Sequence, residues 1–139
     1  MISFSYNIHE SDLLKICSLY TKAGWWDGEC SAEQVTNLLK DSFCFLTAWD
    51  GEILAGMGRV ISDGYSDAYI QDIFVDETYR KQGIASEIVK SLTQYCQSRK
   101  VNWIALIAAP GSVNLYENLG FKVMKDHTPM KLVIKSEKQ

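Results

Sequence analysis

The sequence predicts an α+β fold. Short β-branched and aromatic runs, separated by tight turns, alternate with longer segments whose apolar residues recur at helical spacing. Asp50-Gly51 lies between two such runs and is a strong hairpin signal. The run Ile70-Gln71-Asp72-Ile73-Phe74-Val75 passes through a polar turn and a glycine corner into an amphipathic segment with Ile84, Ile88, Leu92 and Tyr95 on one face. That is strand, turn and helix in succession.

Each element has its own signature. Phe4, Tyr6 and Ile8 alternate with polar residues and predict a first strand. Leu13, Leu14, Ile16, Cys17 and Tyr20 give a helical face that opens near Ser11. Ser31-Ala32-Glu33-Gln34 has the form of a capping box and opens a second helix carrying Val35, Leu38 and Leu39 inward. Between these helices lies the loop Gly24-Trp25-Trp26-Asp27-Gly28-Glu29-Cys30. Phe43 to Trp49 reads as a strand that returns through Asp50-Gly51 as Ile53 to Ile61, and Ser62-Asp63-Gly64 turns into the strand ending at Val75. After the Ala85 helix come a strand from Trp103 to Ala108, a Pro110-Gly111 turn and a short helix over Ser112 to Leu119 closed by Gly120. Strands follow from Phe121 and from Met130 to Ile134, with Asp126-His127-Thr128-Pro129 between them. Ser136 to Gln139 reads as a frayed polar tail.

A chain of 139 residues fits one domain spanning 1–139. Hydrophobic residues at 47% and charged residues at 22% are ordinary for a globular protein. A net charge of -3 argues against a general affinity for nucleic acid or anionic membranes, though not against a local basic pocket. No run approaches the ~20 apolar residues that span a bilayer. Met1 to Tyr6 lacks the pattern of a signal peptide. Cys17, Cys30, Cys44 and Cys96 are scattered without ligand spacing, so no metal site is expected. They read as reduced thiols of a cytoplasmic protein.

The corner from Arg80 to Ser86 carries the chemistry. A helix start leaves backbone N–H groups unpaired. Gly83 and Ala85 are too small to block a close ligand, and Arg80 and Lys81 add positive charge. The product is a site for phosphate or pyrophosphate. A bare βα turn is the competing reading, since one glycine is a weak signal.

Arg80-x-x-Gly83-x-Ala85, followed downstream by Leu115-Tyr116-Glu117-Asn118-Leu119-Gly120-Phe121, resembles the GNAT superfamily of acyl-CoA-dependent N-acetyltransferases. The resemblance implies a three-layer α/β/α domain with a mixed sheet, splayed between its fourth and fifth strands and flanked by helices. It implies acetyl-CoA as cosubstrate. The pantetheine arm would lie along Ile73, Phe74 and Val75, and the pyrophosphate would lie on Arg80, Lys81, Gln82, Gly83, Ile84, Ala85 and Ser86. Tyr116 falls at the general-acid position, where a phenol can protonate the leaving thiolate. A packed core tyrosine is the alternative. Relatives often place a pantetheine-binding asparagine before this tyrosine; here Ala109-Pro110-Gly111 stands there, and Asn114 is the nearest substitute.

Asp72, in the cleft strand, is the candidate for catalysis or amine binding, ahead of Asp63, Glu29 and His127. Trp25 and Trp26 would form a wall of the acceptor pocket, and two adjacent aromatics cannot readily both enter one core. The expected acceptor is the primary amine of a small molecule. The Asp72–Tyr79 region and the Tyr116 block are also similar to plant-type serotonin N-acetyltransferases, which implies an arylalkylamine-like acceptor. The alternatives are acetylation of a protein lysine or N-terminus, and a non-catalytic acyl-CoA sensor. Among partners, neither nucleic acid nor membrane is expected, and a homodimer is admitted.

Overall fold

In the computed structural model, which describes residues 1–135, the chain forms two compact units divided after Leu106. The first holds a five-stranded sheet of β1 (Ile2–Ser5), β2 (Cys44–Asp50), β3 (Ile53–Ser62), β4 (Asp67–Val75) and β5 (Trp103–Ala105), side by side in that order. β1 to β4 pair antiparallel, and β5 joins β4 in parallel. A parallel neighbour needs a crossover, and α3 (Ile84–Ser98) supplies it. α1 (Leu13–Lys22) and α2 (Ala32–Asp41) complete this unit.

Side-chain alternation along β3, shifted by one residue at a bulge between Leu54 and Gly56, sorts the layers. Leu54 and Met57 join Phe45 in a core with Leu13, Ile16, Leu19 and Tyr20 of α1 and Val35 of α2. The opposite face carries Gly56 and Gly58, against which α3 packs. A Cβ on Gly58 would come within 2.7 Å of Ile88 Cγ2 and 2.5 Å of Ile73 Cδ1, so only glycine fits between α3 and β4. The result is helix, sheet and helix: a mixed, helix-flanked α+β fold.

Local sequence signals are realised where they carry their own chemistry. Ser31 accepts a hydrogen bond from Gln34 N while Gln34 accepts one from Ser31 N at 2.8 Å, closing the capping box of α2. Asp50 pairs with Ile53 around a turn in which Gly51 takes φ +59°, a left-handed angle costly to other L-residues.

Several expectations are corrected. β5 ends at Ala105 rather than Ala108. The strands expected from Phe121 and over Met130 to Ile134 are not formed: among the described residues no ladder pairs them, and Met130 and Leu132 lie exposed. Apolar alternation makes a strand only when another edge takes up its backbone groups. The expected tail at Ser136 to Gln139 lies outside the described residues. In the second unit, α4 (Val113–Glu117) is the regular element among the described residues, and Gly120 beyond it takes φ +97°.

The cysteines also depart from expectation. Cys17 and Cys30 form a disulfide with Cα atoms 5.8 Å apart, while Cys44 and Cys96 are free and buried. α1 and the capped start of α2 bring together two residues 13 apart, a proximity that their separation does not announce. Protein denatured without reductant should therefore show two reactive thiols, from Cys44 and Cys96, and four after reduction. Reduction should also lower the melting temperature, since closing a loop of this size contributes about 3 kcal/mol. Four thiols before reduction would contradict the bridge.

Candidate functional site

The Arg80–Ser86 corner takes the shape that the sequence implies. Lys81 has φ +63° and Gly83 has φ +77°, and these left-handed turns aim the chain into α3. Gly83 stands at the N-cap without a side-chain cap. Among the described residues, no hydrogen bond uses the backbone N–H groups of Lys81, Gln82, Gly83, Ile84, Ala85 or Ser86. A Cβ built on Gly83 meets no atom within 4 Å, so the space before the helix start is open. Arg80 is anchored at this corner: its Nε donates to Val75 O at 3.0 Å and its guanidinium lies 5.5 Å from the Phe74 ring centre. Free donors, a positive helix end and a fixed cation together suit an anionic ligand.

β4 is open beside this corner. Its pairing with β5 stops at Tyr69 opposite Ala105, so within the first unit nothing pairs with Ile70–Val75 on that edge. The strand is also bulged. Met57 pairs with Phe74 but Arg59 pairs with Gln71, leaving Asp72 and Ile73 to share Gly58. Asp72 takes φ +58° at this bulge, an angle unusual outside glycine.

Two groups hold Asp72 in place. Tyr20 donates its hydroxyl proton to Oδ2 at 2.6 Å, and Arg59 Nε donates to the same oxygen at 2.6 Å. Arg59 also donates through Nη1 to Ser42 Oγ at 3.2 Å. Side-chain exposures of 17% for Arg59 and 20% for Asp72 shield the ion pair from water, so removing one partner alone costs up to about 3 kcal/mol. Burial, and then the bond to the Asp72 carboxylate, hold the Tyr20 phenol far above its ordinary pKa, so it stays a donor.

Tyr20 also organises the tryptophan loop. Its carbonyl accepts from Trp25 N at 3.1 Å and Trp26 N at 3.3 Å. Its ring stacks on Trp26 at 4.0 Å and meets Trp25 edge-on at 6.0 Å. The two tryptophans divide as their adjacency suggests. Trp26 packs against the core, whereas Trp25 remains 49% exposed with its ring 5.9 Å from Phe74. A cavity of about 550 Å³ lined by residues such as His9, Leu13 and Thr36 touches none of these groups.

Asp63 and Asp76 have structural roles. Asp63 Oδ1 accepts from Tyr65 N and Ser66 N in the β3–β4 turn, and those bonds hold its carboxyl below the ordinary range. Glu29 is exposed, and His127 Nδ1 lies 2.7 Å from Lys125 O in an exposed turn. Asp76 bonds Lys22 Nζ at 2.7 Å, which, with Thr78, brings its pKa down to about 2.

Sequence reading singles out neither Tyr20 nor Arg59. One signal for Arg59 is present: a cation in the apolar run from Ile53 to Ile61 must find an anion. Tyr20 carries no such mark, because it reads as one more apolar position of α1.

The second unit carries Tyr116 and Asn114 on α4. Tyr116 is half-buried, and its ring lies edge-on to Phe121 at 6.0 Å. Burial raises its pKa above the ordinary phenol value. Among the described residues of its own unit the hydroxyl makes no hydrogen bond. Asn114 is exposed.

A bulged, half-open strand feeding an uncapped helix start belongs to a mixed, helix-flanked α+β domain. The "Acetyltransferase (GNAT) domain" family model matches residues 16–133, and the chain belongs to that family, whose members use acetyl-CoA. A 69-residue segment is 38% identical to GCN5-related N-acetyltransferase 2, chloroplastic, of Arabidopsis thaliana, covering 50% of this chain and 27% of that protein. Over 122 residues the chain is 25% identical to the uncharacterized N-acetyltransferase ycf52 of Gracilaria tenuistipitata var. liui, covering 86% of this chain and 65% of that protein. The chain thus spans between about a quarter and two thirds of these curated relatives. A solved probable acetyltransferase, SA2161 of meticillin-resistant Staphylococcus aureus, is 28% identical with a TM-score of 0.81, covering 96% of this chain and 100% of that one. No helix among the described residues is long and apolar enough to cross a membrane, and no three His, Cys, Asp or Glu side chains there are grouped so as to hold a metal ion.

Proposed function

We propose that the protein transfers the acetyl group of acetyl-CoA to the primary amine of a small molecule by direct attack. The observation that carries this reading is the Arg80–Ser86 corner, with its unused N–H groups and open space before Gly83. The pyrophosphate lies there, with the pantetheine along the open edge at Ile73, Phe74 and Val75 and Asn114 as a further contact. A free N–H on that edge stabilises the thioester oxygen as it gains charge.

The proton count follows from the groups available. The acceptor ammonium gives a proton to water, and its nitrogen lone pair then attacks the carbonyl carbon. A C–N bond forms as the C–S bond breaks, and the thiolate takes the Tyr116 proton. The nitrogen, cationic once it is bonded to carbon, releases its second proton to solvent to give the amide, and solvent restores the proton of Tyr116. Asp72, already tied to Arg59 and Tyr20, meets the amine rather than the thioester, and Trp25 offers it an apolar face; Trp26 supports that wall from behind.

A cytoplasmic setting belongs to the same proposal, and the Cys17–Cys30 bridge is the observation against it, since cytosolic thiols are mostly kept reduced. Release of free CoA from acetyl-CoA, screened over small amines and lysine peptides, tests the reaction. Amine-dependent release with a small amine is expected. Release only with peptides, or with no acceptor at all, would contradict the reading.

A further inference from the structure

We propose that Asp72 Oδ1 and the exposed ring of Trp25 form a cation subsite, ordered by Tyr20, which receives the acceptor in its positively charged form beside an apolar body. The inference rests on the acetyltransferase reading of the same site and adds the charge and shape of what it selects.

The first observation is the asymmetry of the Asp72 carboxylate. Tyr20 and Arg59 both donate to Oδ2, and Oδ1 carries no hydrogen bond among the described residues. A cation at Oδ1 therefore meets an unshared acceptor directly, while Arg59 is committed to the other oxygen and to Ser42. Asp72 reaches Tyr20 from the bulge, where it takes φ +58°.

The second observation is aromatic. Trp25 lies within 6.0 Å of Tyr20 and 5.9 Å of Phe74 by ring centres, yet 49% of it is exposed. An indole face is the strongest aromatic partner for a cation. Half-burying a tryptophan against Tyr20, whose hydroxyl bonds Asp72, while the rest stays exposed leaves a surface that suits an alkylammonium better than a neutral body of the same shape.

Tyr20 joins the two halves as a positioning residue. One side chain bonds Asp72, and its own carbonyl fixes both tryptophan amides, so carboxylate and indole are set by a single buried group. The Cys17–Cys30 bridge closes the same loop from its other end.

Choline and its neutral isostere 3,3-dimethylbutan-1-ol test the subsite on the whole protein. The readout is the Trp25 indole N–H resonance, identified by its absence in Trp25→Ala. Choline should shift this resonance and bind at least about tenfold more tightly than the alcohol, a step typical of a cation against an aromatic face. Trp25→Ala changes an exposed residue and should erase the preference, read then by competition against acceptor. Asp72→Asn should erase it too. Tyr20→Phe keeps the stacked ring and should weaken choline binding while leaving CoA affinity unchanged, a split that general loosening would not give. Equal binding of both probes, binding of neither, or a preference that survives Trp25→Ala would overturn the proposal. Acetylation of n-butylamine without any choline preference would remove this inference alone. A choline preference with no CoA release from any amine would keep the subsite and remove the acetyltransferase reading.

Discussion

Replacing Gly83 with glutamate is expected to lower CoA affinity by about 10²-fold or more while the fold is retained. Two effects act together. A carboxylate placed before the α3 N-terminus takes the space left open there and repels a pyrophosphate; at about 4 Å and an effective dielectric of 20, one pair of like charges costs roughly 4 kcal/mol. The backbone effect is separable. Gly83 sits at φ +77°, so any L-residue is strained by about 1–2 kcal/mol. Gly83→Ala carries that strain without the charge, and its Cβ meets no protein atom. Calorimetry should thus show a modest loss for alanine and a severe one for glutamate. Equal affinities for wild type and a folded Gly83→Glu variant would remove the pyrophosphate from this corner.

Tyr116→Phe should cut turnover by about 10²–10⁴-fold, the usual cost of losing a general acid. The phenol acts only as the thiolate leaves, so it contributes to the transition state and little to ground-state binding. The substitution keeps the ring and its edge-on contact with Phe121 and deletes a hydroxyl that bonds nothing among the described residues of its own unit. CoA affinity and melting temperature should therefore stay near the wild-type values while kcat falls. The assay must be one in which chemistry limits the rate. Near-full turnover there would end the acid assignment, and a loss of stability without a kinetic defect would show a packing tyrosine instead.

What was legible in the sequence was local. Ser31 with Gln34, Asp50 with Gly51, and Gly83 before an apolar helical face each contain, within four residues or fewer, the chemistry that shapes them. The backbone turn from Arg80 to Ser86 could be read for the same reason. What was not legible depends on distant partners. Tyr20 meets Asp72 across 52 residues, and nothing in the α1 pattern separates it from its apolar neighbours. Cys17 and Cys30 meet only because α1 and α2 turn back on one another. The strands expected after Phe121 and at Met130 to Ile134 show the converse, because alternation describes a segment's faces and not the edge it needs.

The claim on which the rest depends is that backbone N–H groups at the start of α3 hold a pyrophosphate. Amide chemical shifts, followed while CoA and then pantetheine are titrated into the labelled protein, test it most directly. Pantetheine keeps the thiol arm and lacks the pyrophosphate. CoA should move the amides of Lys81 to Ser86 strongly downfield, whereas pantetheine should leave them in place and perturb only Ile73 to Val75. If CoA bound without moving the Lys81–Ser86 amides, or if pantetheine moved them equally, the corner would not be the cosubstrate site.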